Sequence, residues 1–353
     1  MALARLEFDG RRQFFLGPNG QGKTNLLEAA GLLGALRSFR GAEPRDLPRH
    51  GAAEARVWCV IEHERDGEVE VEITVRPQAR TVSINGTRCR RLAELLGRFP
   101  VVALSSHDLQ LLRGAPALRR RELDLLISSL DPLYFNALRR YHQALVARNA
   151  LLRAPREPAP SEWSALEAIL AEQAVTLRAQ RIEICAAMHG HLRAAYDRLT
   201  DGAPEQPGLV YRPDTDAGSV ETWREIWATS RSRDRILHRT QRGPHRDDFI
   251  FQHAGEGAKA FASEGQQRGL VVAWRLAQAA WSRERTGFTP LVLADDVLGE
   301  LDPARRAGFW RALPGDAQIM ATGTLPPTGS AADGTPAWTI WLVHAGEFTR
   351  AEN

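Results

Sequence analysis

Eight residues near the N-terminus, Gly17-Pro18-Asn19-Gly20-Gln21-Gly22-Lys23-Thr24, form a complete G-x-x-x-x-G-K-[ST] run. Its glycines let backbone N–H groups turn inward around phosphate oxygens. The helix that opens here adds the partial positive charge of its N-terminus. In such a loop Lys23 reaches the β- and γ-phosphates of a nucleotide, and the Thr24 hydroxyl holds Mg²⁺. A second segment, Pro290-Leu-Val-Leu-Ala-Asp295-Asp296, is an apolar run ending in two carboxylates. Asp295 is placed to hold Mg²⁺ through water, since this ion keeps most of its hydration shell. Asp296 is placed to orient or deprotonate an attacking water. It is one methylene shorter than the glutamate many such ATPases carry there, which implies slow hydrolysis. A third segment, Ala262-Ser263-Glu264-Gly265-Gln266-Gln267-Arg268, precedes a helix marked by Leu270, Trp274, Ala277 and Trp281. Ser263 and the N–H groups near Gly265 make that helix start a second anion site.

These segments need a scaffold, and the periodicity supplies one of α/β class. Arg12–Leu16 is a short strand ending at Gly17, and Asn25–Leu36 is a helix with Leu26, Leu27, Ala30 and Leu33 on one face. Arg56–Glu62 is a strand, and Glu68–Val75 alternates strictly, with Val69, Val71, Ile73 and Val75 facing in. Thr81–Ile84 and the turn Asn85-Gly86 follow, then a strand over Phe99–Leu104. This predicts an antiparallel layer beside a P-loop core. From about residue 117 to 200 the pattern is helical. Tyr134, Leu138, Tyr141 and Leu145 share one face, and Trp163, Leu166, Ile169 and Leu170 open another. Gly202–Gly218 reads as a Pro/Gly loop, and α/β texture returns after about 236. The predicted organisation is a lobe I of mixed sheets and helices, 1–105 and 236–353, interrupted by an inserted helical lobe II, 106–235.

Length and composition set the outer limits. The chain has 353 residues, enough for two domains at about 150 residues each. It is 43% hydrophobic and 25% charged, a globular balance that excludes disorder. No apolar run approaches the roughly 18 residues of a membrane span, so no membrane partner is expected. Glu7 and Asp9 fall where a secretory signal needs an apolar core. Cys59, Cys89 and Cys185 are odd in number and lack zinc spacing, so they read as reduced thiols of a cytoplasmic protein. Net charge is only +3, yet just two of the 46 basic residues, Lys23 and Lys259, are lysines. Arginine's planar fork suits phosphate.

The sequence of these motifs resembles the RecF DNA replication and repair proteins. Gly17–Ala29 is similar to the P-loop of that family. The likeness continues through Arg37-Ser-Phe-Arg40, Ile84-Asn-Gly86, Asp108–Pro116 and Arg119-Arg-Arg-Glu-Leu-Asp124. Gly243-Pro-His-Arg-Asp-Asp-Phe249, the Ser263 segment and Gly299-Glu-Leu-Asp302 complete it. The resemblance implies an ABC-type ATPase head with a helical second lobe, binding ATP and Mg²⁺. Two protomers are expected to sandwich ATP, the P-loop of one facing Ser263–Gln266 of the other, in an ATP-dependent homodimer. Thr322, in Gln318–Thr324, matches the position that senses the γ-phosphate, and Asp302 falls near the dimer seam. Implied partners are single- and double-stranded DNA at gaps or junctions, and recombination mediator proteins that load recombinase, with a link to the SOS response. A weak DNA-stimulated ATPase is expected. Arg119, Arg120, Arg121, Arg139, Arg140 and Arg148 are the implied phosphate ligands. Arg246 belongs to the family pattern either as part of a structural turn or as a phosphate or interface contact.

The likeness also has departures. Family members begin with an extra strand and an Asn-Phe-Arg-like segment, whereas 16 residues precede Gly17 here. The chain is therefore expected to be shortened at Met1, through a late start or a lost edge strand. His107, Glu264 and Gly299 replace commoner family residues, and each is expected to weaken hydrolysis. A non-catalytic scaffold that holds ATP and binds DNA is the alternative function. A transporter ATPase subunit is disfavoured, because Thr24 and Ser263 lie 263 − 24 = 239 positions apart.

Overall fold

A computed structural model describes residues 3–90, 94–202, 205–327 and 337–351. Met1, and with it the expectation about the start, lies outside the described residues. In chain order, β1 (Arg12–Leu16) leads into α1 (Lys23–Ala35). The strands β2 (Ala55–His63), β3 (Gly67–Arg76), β4 (Ala79–Ile84) and β5 (Thr87–Arg88) form an antiparallel meander. After β6 (Val101–Ser105) come α2 (Gln110–Arg113), α3 (Pro116–Leu130), α4 (Pro132–Leu152) and the 41-residue α5 (Pro160–Thr200). Next are β7 (Pro207–Arg212), α6 (Val220–Ile236), β8 (Asp248–His253), β9 (Glu256–Gly257) and α7 (Ala258–Phe261). The chain closes with α8 (Glu264–Thr286), β10 (Leu291–Asp295), α9 (Pro303–Ala312), β11 (Ile319–Gly323), β12 (Thr339–His344) and β13 (Glu347–Arg350).

The chain divides into two compact units. The first comprises Met1–Leu109, Ala194–Pro204 and Ser263–Asn353. Its six-stranded sheet has the order β13-β12-β1-β11-β10-β6, parallel except for β13. Its second sheet is the meander. The strict alternation of β3 does what it predicts: Val69, Val71, Ile73 and Val75 are fully buried. They pack on Leu32 and Leu33 of α1 and on Leu36 just after it, while Leu27 of the same helix packs with Phe15, Leu293 and Met320 of the parallel sheet. Burial of each such side chain contributes about 1.5–3 kcal/mol. The helix that starts at the P-loop is thereby held between two sheets.

The second unit comprises Gln110–Arg193 and Glu205–Ala262. It differs from the sequence division in that residues 236–262 join the helices, while 106–109 and 194–204 join the first unit. The cause is long-range pairing. Segment 207–212, expected as loop, is the strand β7, which pairs antiparallel with β8 over six residues. No local pattern announces a partner so distant in the chain.

The core of this unit is braced by two guanidinium groups. Arg148 is fully buried and donates to Glu167 (3.2 Å), Asp234 (2.8 Å), Thr240 Oγ1 (2.8 Å) and the Trp227 carbonyl (3.2 Å). Arg181 donates to Asp124, Asp247, Tyr134 and the Pro244 carbonyl. The Gly243–Phe249 segment is the hub of this second network. Asp247 also accepts from Tyr211 (2.5 Å), and Asp248 takes both prongs of Arg119 (2.8 and 2.9 Å). Burial pushes the His245 imidazole down to about 4, and its Nδ1 lies 2.7 Å from the Tyr141 hydroxyl. The segment is thus a structural turn, with only the Arg246 side chain exposed in it among the charged residues. Removing one partner of a buried ion pair strands the other. Arg148→Ala is expected to lower unfolding free energy by about 3–5 kcal/mol, read from the urea midpoint. Arg139→Ala, exposed on the same helix, is expected to change it by less than about 0.5 kcal/mol.

Candidate nucleotide site

Register brings the sequence motifs together. β1 runs parallel to β11 with Leu16 opposite Gly323, and β10 pairs with the other side of β11, Ala294 opposite Ala321. The P-loop, Thr322 and Asp295 therefore share the carboxyl edge of one sheet, where open parallel sheets bind ligands.

The loop is shaped by its glycines. Gly20 and Gly22 have φ of 80° and 99°, the left-handed region that disfavours side chains. A Cβ on Gly17 would stand 2.4 Å from the Val343 carbonyl oxygen. Gln21 fastens the loop to the β12–β13 turn. Its side-chain oxygen accepts from Ala345 N (2.6 Å) and its carbonyl from Gly346 N (3.0 Å). Pro18, Asn19 and Gly20 are exposed at the loop tip. The helix α1 opens after Gly22 with no side-chain cap and no acid in its first turn. Its first N–H groups and dipole are left for an anion.

Lys23 is buried and donates to the carbonyls of Gly17 (2.5 Å) and Pro18 (3.0 Å) of its own loop. Burial lowers its pKa, and the charges of Asp296 and Asp295 oppose that shift. Asp295 Oδ1 accepts from two hydroxyls, Thr24 (2.8 Å) and Thr322 (3.0 Å). Thr322 Oγ1 in turn accepts from the Asp296 N–H (2.9 Å). Asp296 has φ 57°, a strained conformation for a residue with a side chain, and follows directly on the strand end. Its pKa is raised, first by burial and then by Asp295, with Lys23 opposing. Hydroxyl and carboxylate oxygens 2.8 Å apart are a hard-oxygen pair that fits Mg²⁺. Among the described residues, no group of three or more His, Cys, Asp or Glu side chains is placed to hold a metal alone. Mg²⁺ bound through phosphates and one or two protein oxygens does not require one.

Ser263 and Gln266 form a capping box at the start of α8. Ser263 Oγ accepts from Gln266 N (3.3 Å), and Gln266 Oε1 accepts from Ser263 N (2.8 Å). Ser263 and Glu264 are exposed, and Gly265 and Gln266 are half-buried. The Ser263 hydroxyl keeps its own proton to donate outward. Asp302 caps α9, accepting from Arg305 N (2.9 Å). That backbone bond is the main reason its pKa is lowered. Sequence reasoning missed Gln21 as a tether and Arg305 as a neighbour of the Ser263 turn. The glycines at 265 and 269, spaced for one helix face, were the available signal for the second.

The six implied DNA-binding arginines separate by burial. Arg148 and Arg119 are committed to the interior contacts described above, and Arg120 donates to the Asp247 carbonyl (2.6 Å). The guanidinium nitrogens of Arg148 and Arg119 are all engaged and have no prong to give a phosphate, so the expectation fails for these two, while Arg120 is half-buried with one prong committed. Arg121, Arg139 and Arg140 are exposed.

A parallel sheet carrying a P-loop, an acidic strand end and a separate serine-capped helix start defines an ABC-type ATPase head. The Smc head domain of Pyrococcus furiosus has this fold, with TM-score 0.52 and 16% identity over 98% of this chain and 90% of that one. The chain belongs to the RecF family of DNA replication and repair proteins. RecF of Moorella thermoacetica is 39% identical over 315 residues, 87% of this chain and 82% of that protein. RecF of Lactobacillus delbrueckii subsp. bulgaricus is 31% identical over 365 residues, 100% and 94% of the two chains. A solved structure of the recombination mediator protein RecF with ATP, of the RecFOR pathway, superposes with TM-score 0.88 at 26% identity, covering 98% and 93%. No family model matches the chain. Gly17→Ala is expected to destabilise the protein by about 1–3 kcal/mol, since backbone must move to admit the methyl group. Its urea midpoint checks this.

Proposed function

We propose that this chain binds ATP at the P-loop edge, pairs with a second copy around it, and acts on DNA in replication and recombinational repair. The observation that carries the reading is the meeting of Thr24 and Thr322 on Asp295 beside an uncapped helix start, while Ser263–Gln266 faces outward elsewhere on the same unit.

Each residue then has a task. Backbone N–H groups of residues 17–24 receive phosphate oxygens at the positive end of α1. Lys23 exchanges its two carbonyl acceptors for β- and γ-phosphate oxygens. Thr24 and Asp295 would hold a Mg²⁺ ion, which would supply neutralisation of the phosphate charge. Thr322, bonded to both aspartates, links the strand end to the γ-phosphate. Asp296 orients a water and accepts its proton, and its raised pKa suits a base.

One copy supplies only half of the contacts. Ser263 Oγ–H, Gly265 and Gln266 of a second copy donate to the γ-phosphate, so the triphosphate favours the pair and hydrolysis releases it. Hydrogen bonds to charged groups contribute about 1.5–3 kcal/mol each. A few of them shift dimerisation by orders of magnitude. DNA gaps or junctions and mediator proteins are the partners, in the cytoplasm, with a weak DNA-stimulated ATPase activity and a place in the SOS response. Arg121, Arg139 and Arg140 are the phosphate ligands, reading no base.

Lys23→Ala is expected to abolish ATP binding measured by calorimetry. Ser263→Arg is expected to keep monomer affinity within about threefold while losing ATP-driven dimerisation in sedimentation. Retained ATP binding by the first variant refutes the P-loop assignment, and normal dimerisation by the second refutes the shared site. Replacing Arg121, Arg139 and Arg140 by glutamine is expected to flatten the salt dependence of DNA affinity. The log–log slope should fall by about 0.9 per lost duplex phosphate contact. An unchanged slope places the DNA elsewhere.

A further inference from the structure

Arg305 occupies an unusual position between two elements that the shared-site reading treats separately. It is the third residue of α9, and both oxygens of the Asp302 cap are tied to it. Oδ1 accepts its backbone N–H (2.9 Å) and Oδ2 accepts Nη1 (2.8 Å). The same guanidinium lies against the first two turns of α8. A Cβ on Gly265 would stand 3.2 Å from Nη1, and one on Gly269 would stand 3.2 Å from Nε. Residues 265 and 269 are one turn apart on a single helix face. Because both are glycine, the guanidinium can approach this close.

The placement leaves a polar atom unmet. Arg305 Nε is buried and has no hydrogen-bond partner. Arg268 adds a second tie between the same elements. Its Nη2 donates to Glu264 (3.0 Å) in the Ser263 turn, and its Nη1 donates to the Glu300 carbonyl (3.2 Å) two residues before Asp302.

We propose that Arg305 is a positioning residue that couples the Ser263–Gln266 turn to the Asp302 loop, so that the two move as one block when a second copy closes on ATP. The proposal rests on the shared-site reading above. Within it, Gly265 belongs to the turn that meets the other copy's γ-phosphate, and Asp302 falls at the seam. A guanidinium spanning both transmits any displacement of one to the other. Its breadth matters, since a lysine ammonium is a point charge that reaches Asp302 without covering the glycine face.

The test compares ATP-driven dimerisation by sedimentation with monomer ATP affinity by calorimetry, using the full chain. Arg305→Ala and Arg305→Lys are expected to weaken dimerisation at least tenfold, with monomer affinity within twofold. Gly269→Ala, which displaces the guanidinium and leaves its charge, is expected to weaken dimerisation in the same direction. The unfolding midpoint without ATP is followed in parallel. A purely structural role would shift that midpoint and leave dimerisation of the folded fraction intact, and that result overturns the proposal. So does rescue of full dimerisation by lysine. If Arg305→Ala fails to fold, Gly269→Ala decides, and normal dimerisation by that variant overturns the proposal. Ser263→Arg separates the two levels. If it still dimerises, the shared site falls and the coupling falls with it. If it does not, while Arg305→Ala dimerises normally, only the coupling falls.

Discussion

One oxygen, Asp295 Oδ1, accepts hydrogen bonds from two threonines that come from different parts of the chain, Thr24 at the start of α1 and Thr322 at the end of β11. The rest of the site depends on that convergence. Thr24 carries the phosphate loop with it, and Thr322 carries the backbone of Asp296. Three parallel strands must end level for this to happen, and their register ensures it. The strand β11 between β1 and β10 provides the hydroxyl that bridges their ends.

The two helix starts have opposite electrostatic designs. α1 begins without a side-chain cap or an acid, so its N-terminal field is uncompensated. α8 begins with a satisfied capping box and Glu264 in its first turn. The first leaves its N–H groups open to an anion. The second has two of its N–H groups, those of Ser263 and Gln266, met by the capping box, and has a negative charge beside it, so it is the weaker anion site.

Arginine occupies two opposite environments in this chain. In the helical unit it works as an internal brace, because a five-donor planar group can satisfy several buried acceptors at once. Arg148 meets four, on helices and loops far apart in sequence. Such clusters add less stability than their bond count implies, since desolvation offsets the attraction. They do define geometry. At Arg121, Arg139 and Arg140 the same side chain stands exposed to solvent. Charge patterning in a helix cannot separate these environments, and Arg139 and Arg148 sit on one helix with opposite fates.

Features whose physics is local could be read from residue order alone. The glycine spacing of residues 17–24 demands a turned phosphate loop, and the alternation of β3 demands one buried face. Each depends on neighbours a few positions away, so each is legible in order. Tertiary structure decided what depends on distant partners. β7 became a strand only because β8 stands beside it, which drew residues 236–262 into the helical unit. Arg148 became interior only because Glu167 and Asp234 converge on it. Arg305 reached the glycine face of α8 only because α9 packs there. Side-chain periodicity records which face of an element is apolar, and it carries no information about which other element will cover that face.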